Sequence, residues 1–169
     1  SAQRFSKTDS TFGGVNRPAF IFVENGFVVA DEDRDSLGLL QVGLFDSLGN
    51  KVFHKSYDYY ESTDSVLRIS SCFKCLKSIG NDFIYAQTDY IRADSGFVRF
   101  TRFDSNLDTL YTRRHLEYQG ALPEVRDLMF DTDSTFVVSG FLFRHTNYNK
   151  YDLWVAKFDT AFNPIWELR

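Results

Sequence analysis

The sequence predicts an all-β protein, a β-propeller-like array of three four-stranded antiparallel blades. Three observations lead there. Two separate sequence anchors each recur three times with nearly one period. Strand-forming aromatics dominate, with 18 Phe and 9 Tyr against 1 Met in 169 residues, and flat rings pack well against cross-strand neighbours. No stretch of useful length carries the helical period.

The first anchor is an aspartate at a turn. "VGLFDSLGNKVFHKSY", "VRFTRFDSNLDTLYTRR" and "WVAKFDTAFNPIWELR" align on Asp46, Asp104 and Asp159, each preceded by Phe (Phe45, Phe103, Phe158). Upstream lie Val42, Phe100 or Val155 and then Leu40, Val98 or Leu153; seven positions after each Asp comes an aromatic, Phe53, Tyr111 or Trp166. The second anchor, "NGFVVADE", "NDFIYAQT" and "STFVVSGF", aligns on Phe27, Phe83 and Phe136. The aspartates are 58 and 55 residues apart and the phenylalanines 56 and 53. Two anchors sharing a period near that of a four-stranded blade mark a repeat architecture.

Each repeat divides into four strands joined by turns. After a polar N-terminal segment, 1–17, blade 1 (18–66) is expected to place strands over 18–24, 27–32, 38–45 and 51–57. Blade 2 (67–122) places them over 67–76, 83–90, 96–103 and 109–116. Blade 3 (123–169) places them over 124–130, 136–143, 151–158 and 164–169, ending in its outer strand. Asn25-Gly26, Asn81-Asp82 and Ser134-Thr135 are the expected first turns; both central positions of an Asn-Gly pair can take positive φ. In the Asp-centred turns, Gly49 or Asn50 is expected where φ turns positive, with Phe162-Asn163 as the equivalent slot before Pro164 in the third copy. Three blades fall short of the four or more that ordinarily close a ring. Three outcomes are open: the chain is a fragment of a longer protein, it assembles with copies of itself, or its sheets stack as an open array. The fragment is favoured, because an open propeller exposes apolar blade faces and sheet edges. The remaining blades, on the same protein or another chain, are then its partners.

The closing "YDLWVAKFDTAFNPIWELR" resembles the blade motif D-x-W-(V/L)-x-K-(F/L)-D-x-x-G-(N/D)-x-x-W of large secreted β-propeller proteins of Bacteroidetes bacteria, many of which end in a type IX secretion sorting domain. Asp152, Trp154, Lys157, Phe158, Asp159, Asn163 and Trp166 carry the match. The first copy keeps Phe45, Asp46, Gly49 and Asn50, with Gln41 in place of the first Trp and Phe53 in place of the second. The middle copy keeps Phe103 and Asp104, with Asp108 and Tyr111 at the later positions. The motif glycine survives only as Gly49; Leu107 and Phe162 replace it. The resemblance implies export and an extracellular or outer-membrane surface location after removal of a signal peptide. The polar first residues contain no hydrophobic signal core of their own.

Composition narrows the function classes. A formal charge of −4 leaves no basic tract for a nucleic-acid backbone. No apolar run of about 18 residues spans a membrane. Among polar candidates, the recurrence of Asp46, Asp104 and Asp159 points to a structural role, because a short carboxylate can accept backbone N–H groups of the turn it opens. Cys72 and Cys75 form a CxxC spacing, but on a strand i and i+3 face opposite ways, so two ordinary cysteines are expected, at least one in the core. Asp31, Glu32, Asp33 and Asp35 are the one cluster of hard oxygen ligands that could take calcium, though without EF-hand spacing; a hydrated charge run is the plainer expectation, and no cofactor is called for. His54, His115 and His145 are scattered over the repeats, and Gly13-Gly14 lacks the Lys and helix of a phosphate loop. Phe27, Phe83, Phe136, Phe53, Tyr111 and Trp166 are expected as core aromatics.

No catalytic residue emerges. The expected function is a non-enzymatic scaffold for binding, adhesion or display, whose loops meet a protein or glycan. The alternatives are part of a propeller-based carbohydrate-active hydrolase or lyase, and a blade-donating subunit of a larger surface assembly.

Overall fold

A computed structural model describes residues 18–33, 39–58, 74–92, 95–144 and 151–169. They form twelve strands in three four-stranded antiparallel sheets, and among the described residues there is no helix long and apolar enough to cross a membrane. Every sheet is a meander, each strand pairing with its neighbour in sequence. The chain divides into two compact units, Ser1–Tyr60 and Glu61–Arg169.

The first unit holds one sheet: β1 (Ala19–Val23), β2 (Gly26–Asp33), β3 (Leu39–Asp46) and β4 (Lys51–Tyr57). One face is dry, with Val28, Ala30, Leu40 and Val42 fully buried. The other carries a row of rings, Phe22, Phe27 and Phe45, set side by side by the pairing of β1 with β2 and of β2 with β3. Phe27 and Phe45 stack with centroids 5.1 Å apart.

The second unit holds two sheets. One is β5 (Lys74–Ile79), β6 (Asp82–Arg92), β7 (Ser95–Phe103) and β8 (Thr109–Gln119); the other is β9 (Ala121–Thr132), β10 (Thr135–Arg144), β11 (Tyr151–Asp159) and β12 (Pro164–Leu168). A single residue, Gly120 at φ 73°, links β8 to β9, and β9 then lies against all four strands of the preceding sheet. The two sheets share one core: Ile84, Ala86, Val98 and Phe100 from the second sheet meet Phe136, Trp154, Phe158 and Phe162 from the third. Phe100 is its hub, with centroid distances of 4.9 Å to Phe158, 5.4 Å to Phe162 and 5.6 Å to Phe136. Burying one such ring stabilises a fold by roughly 1.5–3 kcal/mol.

Several expected boundaries move. The first turn of each repeat comes one residue earlier: Val23 pairs with Gly26, Ile79 with Asp82 and Thr132 with Thr135, so the central pairs are Glu24-Asn25, Gly80-Asn81 and Asp133-Ser134. Gly26 is therefore the first residue of β2 and not a positive-φ turn position. It is glycine because a Cβ there would lie 1.8 Å from the Phe45 carbonyl oxygen. The opening strand of the third sheet starts at Ala121 and passes through Pro123, which an edge strand tolerates because one side of its backbone is unpaired. The described part of β5 begins at Lys74; 67–73 lie outside the described residues. β6 and β8 run on to Arg92 and Gln119, beyond their expected ends.

Candidate functional site

The three Asp-centred turns are one device built three times. In the first, the Asp46 carboxylate accepts the Leu48 N–H at 2.9 Å and the Asn50 N–H at 2.7 Å through Oδ1, while the Asn50 side chain donates to Oδ2 at 3.0 Å. In the third, Asp159 Oδ1 accepts from Ala161 at 2.9 Å and Asn163 at 2.8 Å, and the Asn163 side chain donates to Oδ2 at 2.8 Å. The second repeats the two backbone bonds from Asn106 and Asp108 at 2.8 Å; Asp108 has no amide with which to make the third. In each, the N–H of the Asp also donates to the carbonyl four residues on. Against a cost of burial, the hydrogen bonds from Asn163 and Ala161 hold the Asp159 carboxyl below its ordinary value.

This closure requires left-handed backbone at the third residue after Asp. Gly49 takes it at φ 77°, but Leu107 takes it at 60° and Phe162 at 64°. Within the expected pairs, the left-handed residue is Gly49 in the first copy and Phe162 in the third. A side chain in this region is strained by about 1–2 kcal/mol; here Leu107 and Phe162 are both fully buried, and the apolar burial offsets the strain. The turn of the third sheet is also pinned to the second: Tyr111 Oη donates to the Thr160 carbonyl, Arg102 reaches the same oxygen at 3.4 Å, and the Tyr111 ring lies 5.0 Å from Phe162. Arg102 is itself held by Asp82, with Nη2 and Nε at 2.6 and 2.9 Å from Oδ2.

A second polar constellation, not foreseen from the sequence, lies inside the second sheet. Asp89 and Arg99 form a buried ion pair, Nε to Oδ2 at 2.6 Å, and the Gln87 amide donates to Asp89 Oδ1 at 2.7 Å. Gln87 and Arg99 face each other across β6 and β7. The equivalent cross-strand pairs are Asp31 with Gln41 in the first sheet and Gly140 with Trp154 in the third. One repeat position thus holds a buried polar pair, an ion-pair network, or an indole over a glycine. Gly140 fits the last case: a Cβ there would stand 1.9 Å from the Glu124 carbonyl oxygen and 2.8 Å from Trp154 Nε1. The signal available in the sequence was alignment with Gln41 and Trp154, which marks Arg99 as a repeat position that faces inward.

Among the described residues the remaining candidates do not converge. Asp31 is buried in β2; Glu32 and Asp33 close the same strand, and Asp35 lies outside the described residues. Among the described residues no three His, Cys, Asp or Glu side chains come together as a metal site. Cys75 is a buried free thiol that burial, reinforced by Asp127, pushes up to about 12. It stays protonated and is a poor nucleophile at neutral pH. Cys72 and His145 lie outside the described residues. His54 is on the surface of β4. His115 packs between the rings of Phe158 at 5.2 Å and Phe100 at 5.9 Å, and burial holds its imidazole below its ordinary value, against a hydrogen bond with the Phe162 backbone.

Of the expected core aromatics, Phe83 and Phe136 are buried, while Phe27, Phe53 and Tyr111 are half-buried. Trp166 departs from the expectation, being 40% exposed. The reason lies in its face of the sheet. Tyr111, at the same repeat position, is covered by the turn of the following sheet, whereas within the second unit no further sheet follows to lie over β12. No family model matches the sequence, and no curated protein matches it.

Proposed function

We infer that the chain is a non-enzymatic binding, adhesion or display scaffold, and that its sheets are blades of a secreted β-propeller acting outside the cell or at its surface. The observation that carries this reading is how the repeated polar residues are used. Asp46, Asp104 and Asp159 are each spent on two backbone N–H groups of their own turn, so the polar signature of the repeat is structural. Face-to-face stacking of the second and third sheets on an aromatic core supports the blade reading, as does the likeness of the third repeat to the exported blade motif. Loops and sheet rims then supply the binding surface, and further blades are structural partners.

The test is to present the purified chain with arrayed glycans and cell-surface proteins, and to assay the same polysaccharides for chain cleavage. Saturable binding without turnover is the expected result. Release of new reducing ends or of unsaturated sugar would overturn the scaffold reading in favour of a hydrolase or lyase.

A further inference from the structure

Leu110 and Ile165 are exposed singly in the second unit, but five other exposed apolar side chains lie together. Met129, Tyr151, Leu153, Trp166 and Leu168 are between 40% and 65% exposed, and strand pairing places all five on one face of the third sheet. Met129, Val137, Lys157 and Trp166 form one cross-strand row; Phe141 with Leu153, and Phe143 with Tyr151, form others. Isolated surface apolar residues need no explanation, but a contiguous patch marks an interaction surface.

The repeat shows what such a face takes. On the second sheet the equivalent positions are Ile84, Val98, Phe100 and Tyr111, standing where the third sheet has Val137, Leu153, Val155 and Trp166. There they are covered by the incoming face of the next sheet, led by Leu128, Phe130, Phe136, Val138 and Phe158. The first sheet carries that incoming pattern. Phe20 pairs with Val29 as Leu128 pairs with Val138, and Phe22 pairs with Phe27 as Phe130 pairs with Phe136. Phe45 stands for Phe158. Phe20 and Phe22 are 60% and 76% exposed, the two forming an edge-to-face pair at 5.7 Å. One chain thus displays both halves of an interface that it also builds internally.

We propose that the open face of the third sheet is a docking surface for a second copy of this chain, which inserts its first sheet through Phe20, Phe22 and Phe27. The contact is head-to-tail, so it propagates to a ring or a filament and does not stop by two-fold symmetry. It is thinner than the internal interface, because Gln41 and Gly49 stand where the third sheet has Trp154 and Phe162. Association is accordingly reversible and concentration-dependent.

Sedimentation velocity over a concentration series tests it, with Leu153→Lys disabling one half and Phe22→Lys the other. Both residues are exposed, so each variant keeps the parent's circular dichroism and melting temperature; Met129→Lys is the substitute on the third sheet if Leu153→Lys does not. The parent is expected to gain mass with concentration and each variant to remain monomeric. An equimolar mixture of the two variants, which together hold one intact pair of faces, is expected to give a one-to-one dimer and nothing larger. A parent that is monomeric throughout would overturn the proposal. So would a Phe22→Lys variant that still assembles, or a mixture that stays monomeric, since either result means that the face is covered by something other than the first sheet of another copy.

Discussion

Replacing Phe162 separates two opposed contributions at one residue. The ring is fully buried, with centroids 5.4 Å from Phe100, 5.0 Å from Tyr111 and 5.9 Å from Phe136. Truncation to Ala removes it from a packed aromatic core, at a typical cost of about 3–5 kcal/mol. Ala keeps a Cβ at φ 64° and with it the left-handed strain. Gly at the same position loses the same ring but relieves about 1–2 kcal/mol of that strain, against roughly 0.4–1 kcal/mol for the added freedom of the unfolded chain. Phe162→Gly should therefore be more stable than Phe162→Ala by roughly 0.5–1 kcal/mol, the reverse of the order at an ordinary strand position. Urea unfolding followed by tryptophan fluorescence reads the relevant unit, because both tryptophans of the chain, Trp154 and Trp166, lie in it. If the Ala variant equals or exceeds the Gly variant, the backbone there stores no strain. If both cost less than about 1 kcal/mol, the ring is not part of the packed core.

Three further outcomes follow from the same geometry. Gly140→Ala should destabilise the second unit by at least the roughly 1–3 kcal/mol typical of overpacking, because the clash is with the Glu124 backbone; a melting temperature unchanged from the parent would refute the close-approach account. Asp89→Ala removes a carboxylate from the buried Arg99 guanidinium, a loss of about 3–5 kcal/mol in chemical denaturation, and a cost under about 1 kcal/mol would show that water reaches the pair. For His115 the folded pKa lies below the unfolded value near 6.5, so the unfolded state takes up a proton first. The stability it contributes is complete above about pH 6.5 and is lost as the pH falls through the folded value. His115→Gln should flatten the decline in stability between about pH 7 and 5, and an unaltered slope would assign that decline to other groups.

Much of the fold was legible in the residues because its determinants are local. An Asp followed by a hydrogen-bonding residue four positions on makes its own turn, so Asp46, Asp104 and Asp159 could be found by spacing alone. Strand limits were less legible. The turn at Glu24-Asn25 contains no obligatory residue, and Gly26 reads as turn punctuation when its absent side chain instead answers the Phe45 carbonyl across the sheet. Phe162 was harder still: glycine or asparagine is the local choice for positive φ, and only the room that the core offers an aromatic ring makes phenylalanine tenable there.

The buried cluster of Asp89, Arg99 and Gln87 could not be recognised as one from the sequence, because charge suggests surface until strand pairing sets the three side chains on one buried face. The sequence by itself determined the three repeats, their four-stranded meanders and the aspartate that closes each outer turn, since these depend on short-range hydrogen bonding and on alternation along a strand. Tertiary structure alone decided which copies of a repeated aromatic are buried. Tyr111 and Trp166 occupy the same place in the pattern. The next sheet's turn lies over the first, and within the second unit none lies over the second, so burial here is a property of neighbours that no local residue encodes.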